Sequence, residues 1–188
     1  MDDVVKLKSA VEDLTRRLQE ESAQRMELER RCNLLEKLAY RDPSTGLRTE
    51  SYLHARVREE IDRAIRFPAA TTLLTLCAPP SASESVPRLG QRLTDELRAT
   101  DQVFKLNQNG LAILLVETSE EGAGHVVARI SQDLEQFIKG FGYTVTSFPV
   151  DANLADDFLK LALDRHREMS HHIAPEEGGN TQQSSMFH

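Results

Sequence analysis

Tryptophan is absent from this 188-residue chain, aromatic residues make up only 5% of it, and there are two cysteines, Cys32 and Cys77. With so few large rings, the 39% of hydrophobic residues must build a core mainly from Leu, Val and Ala. Two cysteines exclude a disulfide framework, and neither has the spacing of a zinc site, so a reducing cytoplasm is expected. Long apolar runs are missing too: no stretch approaches the roughly 18 residues that a membrane helix needs. The charged start, Met1 to Leu14, does not read as a signal peptide. Basic residues are outnumbered, with a formal net charge of −7 and a pI near 5.4. That balance argues against a surface that tracks nucleic-acid phosphates, so neither DNA nor RNA is an expected partner. A local basic pocket for a small anion stays open.

What is present begins with a repeat of seven over residues 1–40. Val4, Val11, Leu18, Arg25, Cys32 and Ala39 hold one position, and Leu7, Leu14, Glu21, Leu28 and Leu35 the other. A stripe spaced three and four along a helix has to bury against a second helix, and Val at the first position with Leu at the second favours two parallel strands. Glu21 and Arg25 interrupt the seam, at a cost in stability and with a gain in register. The regularity favours a homodimer through residues 1–40 over a helix folded back on its own domain.

Pro43 and Gly46 mark a break, after which the chain alternates. A helix is predicted from about Thr49 to Arg66, with Leu53, Val57, Ile61 and Ile65 on one face. A buried strand Thr71–Cys77 follows, then a loop at Pro79 to Ser83, then a helix from about Ser85 to Arg98 that buries Val86, Leu89, Leu93 and Leu97. Two short apolar runs, Val103–Leu106 and Leu111–Val116, flank Asn107-Gln108-Asn109-Gly110, and Asn-Gly between strands predicts a hairpin with positive φ. Thr118-Ser119-Glu120-Glu121 has the pattern of a capping box before a helix that turns Val126, Val127, Ile130, Leu134, Phe137 and Ile138 inward. A strand from Tyr143 to Phe148, a last helix from about Leu154 to Met169, and a disordered tail over 171–188 complete the order. Hairpins mixed with crossovers imply an α+β domain over 41–170, with a mixed or mainly antiparallel sheet and helices packed on it.

On these residues the chain resembles the GGDEF family, the domain of diguanylate cyclases. Asp42-Pro43-Ser44-Thr45-Gly46-Leu47 is similar to that family's D-x-L-T-G-L opening turn, and Leu97-Arg98-Ala99-Thr100-Asp101 to its L-R-x-x-D segment. The family signature is due five residues later, where Asn107, Gln108, Asn109, Gly110 and Leu111 stand. The resemblance covers about residues 40–170 and implies the family's fold, a mainly antiparallel, palm-like sheet flanked by helices.

The departures from that pattern bear on function. The resemblance implies that a cyclase holds two Mg²⁺ ions on carboxylates of the first strand and the signature turn, and Mg²⁺ demands hard, charged oxygen ligands. Here Cys77 stands at or near the strand position, and Asn109 and Gly110 replace the acidic residues of the signature. The segment before L-R-x-x-D also falls short by about ten residues, including those the family uses to read guanine. Without metal ligands or substrate loop, phosphoryl transfer is not expected; no catalytic residue, no metal site and no cofactor are assigned.

The R-x-x-D motif is retained. In many members it forms an inhibitory site for cyclic di-GMP, and the resemblance assigns Arg98, Asp101 and, twenty residues beyond Asn109, Arg129 to ligand binding. A guanidinium can donate two parallel bonds to guanine O6 and N7 or to a phosphate, and a carboxylate can accept from the opposite edge of the base. Each residue also has a plainer reading. Arg98 would complement the carbonyls of a helix end, Asp101 would shape a turn, and Arg129 would be a solvated helix residue. His166, His171 and His172 lack partners for a metal site, and Cys77 reads as inert packing. Two functions are therefore carried forward: a non-catalytic cyclic di-GMP receptor that signals to an unidentified protein partner, and a nucleotide-independent dimeric scaffold.

Overall fold

The computed structural model describes residues 2–38 and 40–173. The chain divides into two compact units, Met1–Tyr40 and Arg41–His188.

The first unit is one helix, α1 (Asp2–Leu38), of 37 residues. Ion pairs one turn apart support it along its length: Asp13 with Arg16 and Arg17, Arg25 with Glu29, and Glu27 with Arg31. Its seam is bare. Val11, Leu14, Leu18, Leu28 and Leu35 are all exposed, with Leu18 at 66%, and so is Cys32. Ala39, the last seam position, lies outside the described residues.

The second unit opens on a turn organised by one carboxylate. Asp42 Oδ1 accepts from the backbone N–H groups of Ser44 (3.1 Å) and Thr45 (2.9 Å) and from both their hydroxyls, while Oδ2 accepts from Lys105 Nζ at 2.9 Å. These bonds favour the charged form and hold the carboxyl far below the usual aspartate range. Gly46 takes a φ of +71°, which lets the chain turn back toward the sheet.

Ten elements follow: β1 (Arg48–Thr49), α2 (Glu50–Arg66), β2 (Thr71–Cys77), a 3₁₀ turn (Pro80–Ser85), α3 (Val86–Glu96), β3 (Gln102–Lys105), β4 (Gly110–Leu115), α4 (Glu120–Phe137), β5 (Gly142–Phe148) and α5 (Ala155–Ile173). The five strands form one sheet in the order β1-β3-β4-β2-β5. β1 runs parallel to β3, and every other neighbouring pair is antiparallel. This is the α+β architecture expected, a mainly antiparallel sheet flanked by helices.

Strand parity explains the layers. Leu111, Ile113 and Leu115 of β4, with Leu74 and Leu76 of β2, point to one face and pack with Leu89 and Leu93 of α3 and Ile130 and Leu134 of α4. Ala112 and Leu114, with Leu73, point to the other face and pack with Leu53, Val57 and Ile61 of α2 and Phe158 and Ala162 of α5. Side chains that alternate across a pleat thus fill two cores from the same strands. β2 is buried along its whole length. Two of its three threonines are satisfied across the sheet, Thr72 with Ser147 at 2.9 Å and Thr75 with Thr144 at 2.7 Å, as buried hydroxyls require.

β5 is an edge strand, and around Val145 and Ser147 its outward backbone groups are engaged by the chain itself. Val145 O accepts from Arg165 Nη1 at 2.8 Å, Ser147 N donates to Asp151 Oδ2 at 2.7 Å, and Ser147 O accepts from Asp151 N at 2.8 Å. Arg165 and Asp151 also pair with each other at 3.0 Å.

Several expectations need correction. Ile65 is exposed, at 57%, because α2 buries Ala64 instead. The segment after Cys77 is a 3₁₀ turn rather than an open loop, started by Pro80 in its first turn. α3 stops at Glu96, so Leu97 is extended and only half-buried, and Arg98 lies beyond the helix end. The capping box does not form. The N-cap is Ser119, whose hydroxyl accepts from Gly122 N at 3.2 Å, and a glycine at that third position has no carboxylate to return. Neither Asn109 nor Gly110 has positive φ; the bend is closed by Leu106 N to Gly110 O at 3.0 Å and by Asn107 Oδ1, which accepts from Asn109 N at 2.9 Å. α5 continues through His171 and His172 to Ile173, and the remaining tail, 174–188, lies outside the described residues.

Candidate ligand groove and the altered signature bend

Two regions answer to the residues singled out in the sequence. The first is the signature bend, at the α5 side of the sheet. Cys77 at the end of β2 pairs with Gly110 at the start of β4, and Ala78 N donates to Asn109 O at 2.8 Å. Cys77 is buried, and its thiol donates to Ser170 Oγ at 3.4 Å, which agrees with inert packing. Over the bend lies His166 of α5, only 5% exposed. Its Nε2 sits 3.4 Å from Asn107 Nδ2, and its Nδ1 is buried without a hydrogen-bond partner. Burial, and secondarily the charge of Arg167, lowers its pKa below the ordinary histidine value. Among the described residues no three His, Cys, Asp or Glu side chains come together as a metal site. Asn109 and Gly110 offer no carboxylate here.

The second region is a groove of about 430 Å³ between the Arg98–Asp101 turn and α4. Arg98, Asp101 and Arg129 all line it. The turn is closed by Asp101 N donating to Arg98 O at 3.0 Å, and Asp101 Oδ1 accepts from Val116 N at a long 3.4 Å. That bond ties the turn to the end of β4. Arg98 and Arg129 are exposed, and neither makes an ion pair among the described residues. Two cations with no ion-pair partner among the described residues therefore line one depression beside a carboxylate, and the N-terminus of α4 opens at its wall. An anion with hydrogen-bonding edges fits that chemistry.

Three further residues of this region escaped the sequence reading. Glu117 and His125 line the groove, and Arg63 Nη2 holds Glu117 Oε1 from α2. No spacing rule connects positions 63 and 117; only the fold brings them together. Arg98 and Asp101 also line a second depression of about 340 Å³, with Arg41, Thr45, Gln91 and Asp95 on its other side. His171 and His172 are exposed, and His172 Nδ1 lies 2.7 Å from its own helix's Glu168 O.

The globular unit has the fold of a GGDEF domain. Among solved structures it is similar to the GGDEF domain of FimX from Pseudomonas aeruginosa, with a TM-score of 0.60 at 15% identity over 71% of this chain and 94% of that one. A microbial GGDEF domain described for its interaction with cyclic di-GMP gives a TM-score of 0.62 at 17% identity, over 73% of this chain and 94% of that one. The diguanylate cyclase SiaD of Pseudomonas aeruginosa, in complex with its activator SiaC, gives 0.53 at 20% identity and spans 89% of this chain and 75% of that one. No family model matches the sequence, and no curated protein does. Among the described residues no helix is long and apolar enough to cross a membrane.

Proposed function

We propose that this protein is a non-catalytic receptor for cyclic di-GMP, which it binds through Arg98, Asp101 and Arg129 and reports to a protein partner. The observation that supports this most is the convergence of those three residues on one groove, although Arg129 is far from the others in sequence. The arginines donate to guanine or phosphate, and Asp101 accepts from the base. The signature bend supports the non-catalytic half: Asn109 and Gly110 supply no charged oxygen for Mg²⁺, and Cys77 is a soft ligand where a hard one is needed. One structural neighbour was described with the same dinucleotide and another with a protein activator. The test is calorimetric titration of the purified chain with cyclic di-GMP and with Mg²⁺–GTP, repeated on Arg98→Ala. Micromolar or tighter binding of the dinucleotide, abolished by the substitution, is the expected result. Turnover of GTP would overturn it.

The exposed seam of α1 favours a second reading, a dimeric scaffold that works without nucleotide. In that case the titration shows no binding of either nucleotide.

A further inference from the structure

Glu117 has a backbone that a glutamate adopts at a cost. Its φ is +52°, and among the described residues it is the non-glycine with positive φ. The surroundings impose this conformation. Just beyond it Thr118 N donates to Ala70 O at 3.0 Å, and Thr72 Oγ1 donates to Thr118 O at 2.8 Å, so the step from β4 into α4 is pinned on both sides. Glycine would occupy the position freely, whereas a side chain there is strained. The side chain that is kept lines the groove. Its Oε1 is held by Arg63, which aims the carboxylate. Glu117 is otherwise exposed, with 66% of its side chain accessible, so core packing does not explain its presence.

The groove then contains two guanidinium groups, Arg98 and Arg129, and two carboxylates, Asp101 and Glu117. A ligand with phosphates alone would gain from the first pair and be repelled by the second. A ligand with two guanines uses both, since each base presents O6 and N7 as acceptors and N1–H with its 2-amino group as donors. Building on the receptor reading above, we propose that Glu117 is a second guanine-reading carboxylate, accepting from one base while Asp101 accepts from the other. Arg63 acts as a positioning residue, offsetting part of the charge that Glu117 presents to the phosphates.

Adenine has no N1–H and no 2-amino group, so cyclic di-AMP separates base reading from phosphate binding. Both dinucleotides are titrated calorimetrically at fixed salt into the full chain and into Glu117→Gln, Glu117→Gly and Arg98→Ala, and thermal melts are recorded for each. Both Glu117 variants are expected to lose about tenfold in affinity for cyclic di-GMP, the 1.4 kcal/mol of a lost charged hydrogen bond, with little change toward cyclic di-AMP. Glu117→Gly is expected to melt no lower than the parent, because glycine accepts the backbone without strain. Unchanged affinity, tighter binding of cyclic di-GMP, or an equal loss for both dinucleotides would each overturn the proposal while leaving the receptor reading intact. Failure of the parent chain to bind cyclic di-GMP would remove both.

Discussion

His166 Nε2 lies 2.6 Å from the point where a Cβ on Gly110 would stand, and Cε1 of the same ring lies 2.8 Å from it. The two residues fit each other: a glycine at the start of β4 leaves room for a ring carried by α5. The ring is held in the core and is not the free end of a flexible chain, so it has little freedom to move aside.

Substituting Gly110 by Ala should therefore destabilise the domain by about 1–3 kcal/mol, the usual cost of overpacking. Combining it with His166→Ala should cost less than the two single changes added together. Denaturant melts of the three variants give the coupling. Strict additivity would show that the contact does not constrain either residue.

The same burial makes stability depend on pH. His166 has its pKa lowered in the folded protein, mainly by desolvation. Above the ordinary value of about 6.5 the ring is neutral in folded and unfolded chains alike, and this residue adds no slope. As pH falls below that point the unfolded chain takes up a proton that the folded one resists, so stability declines until the folded pKa is reached. Melting temperature measured from pH 7.5 to 5.5 should fall, and should fall less steeply in His166→Phe. Parallel curves for the two proteins would assign the loss to other groups.

For α1 the expected partner is a second copy of the chain. An exposed stripe of Val11, Leu14, Leu18, Leu28 and Leu35 has no cover among the described residues, and apolar faces of this spacing pair as coiled coils. Sedimentation equilibrium should give a dimer for the parent chain and a monomer for the variant carrying Leu14→Asp and Leu28→Asp. In a parallel pair Cys32 faces its twin, so mild oxidation should crosslink the parent. A monomeric parent would leave the stripe to a different protein.

The alternation of helix and strand, the mainly antiparallel sheet and most of the inward helix faces were legible because periodicity reports burial directly. Boundaries were less so. α3 ends before Arg98 because the chain must turn into β3, and no residue in that stretch announces the stop. The bend at Asn107–Gly110 shows a second kind of failure. Asn-Gly reads as a left-handed turn, yet Gly110 is there for the space it leaves to His166, a contact 56 positions away that no local pattern contains. In the groove, Arg98, Asp101 and Arg129 could be named from a motif and a spacing. Glu117 could not, because what sets it apart is a backbone angle and an ion pair with a residue on another helix.

The manner in which Arg165 and Asp151 occupy the border of β5 limits how another protein can attach. At the opposite border the sheet ends in β1, only two residues long. One rim is engaged around Val145 and Ser147 and the other is short, which disfavours stitching on a foreign strand and directs recognition of a companion to helical faces and connecting turns, where side chains rather than main chain set the choice.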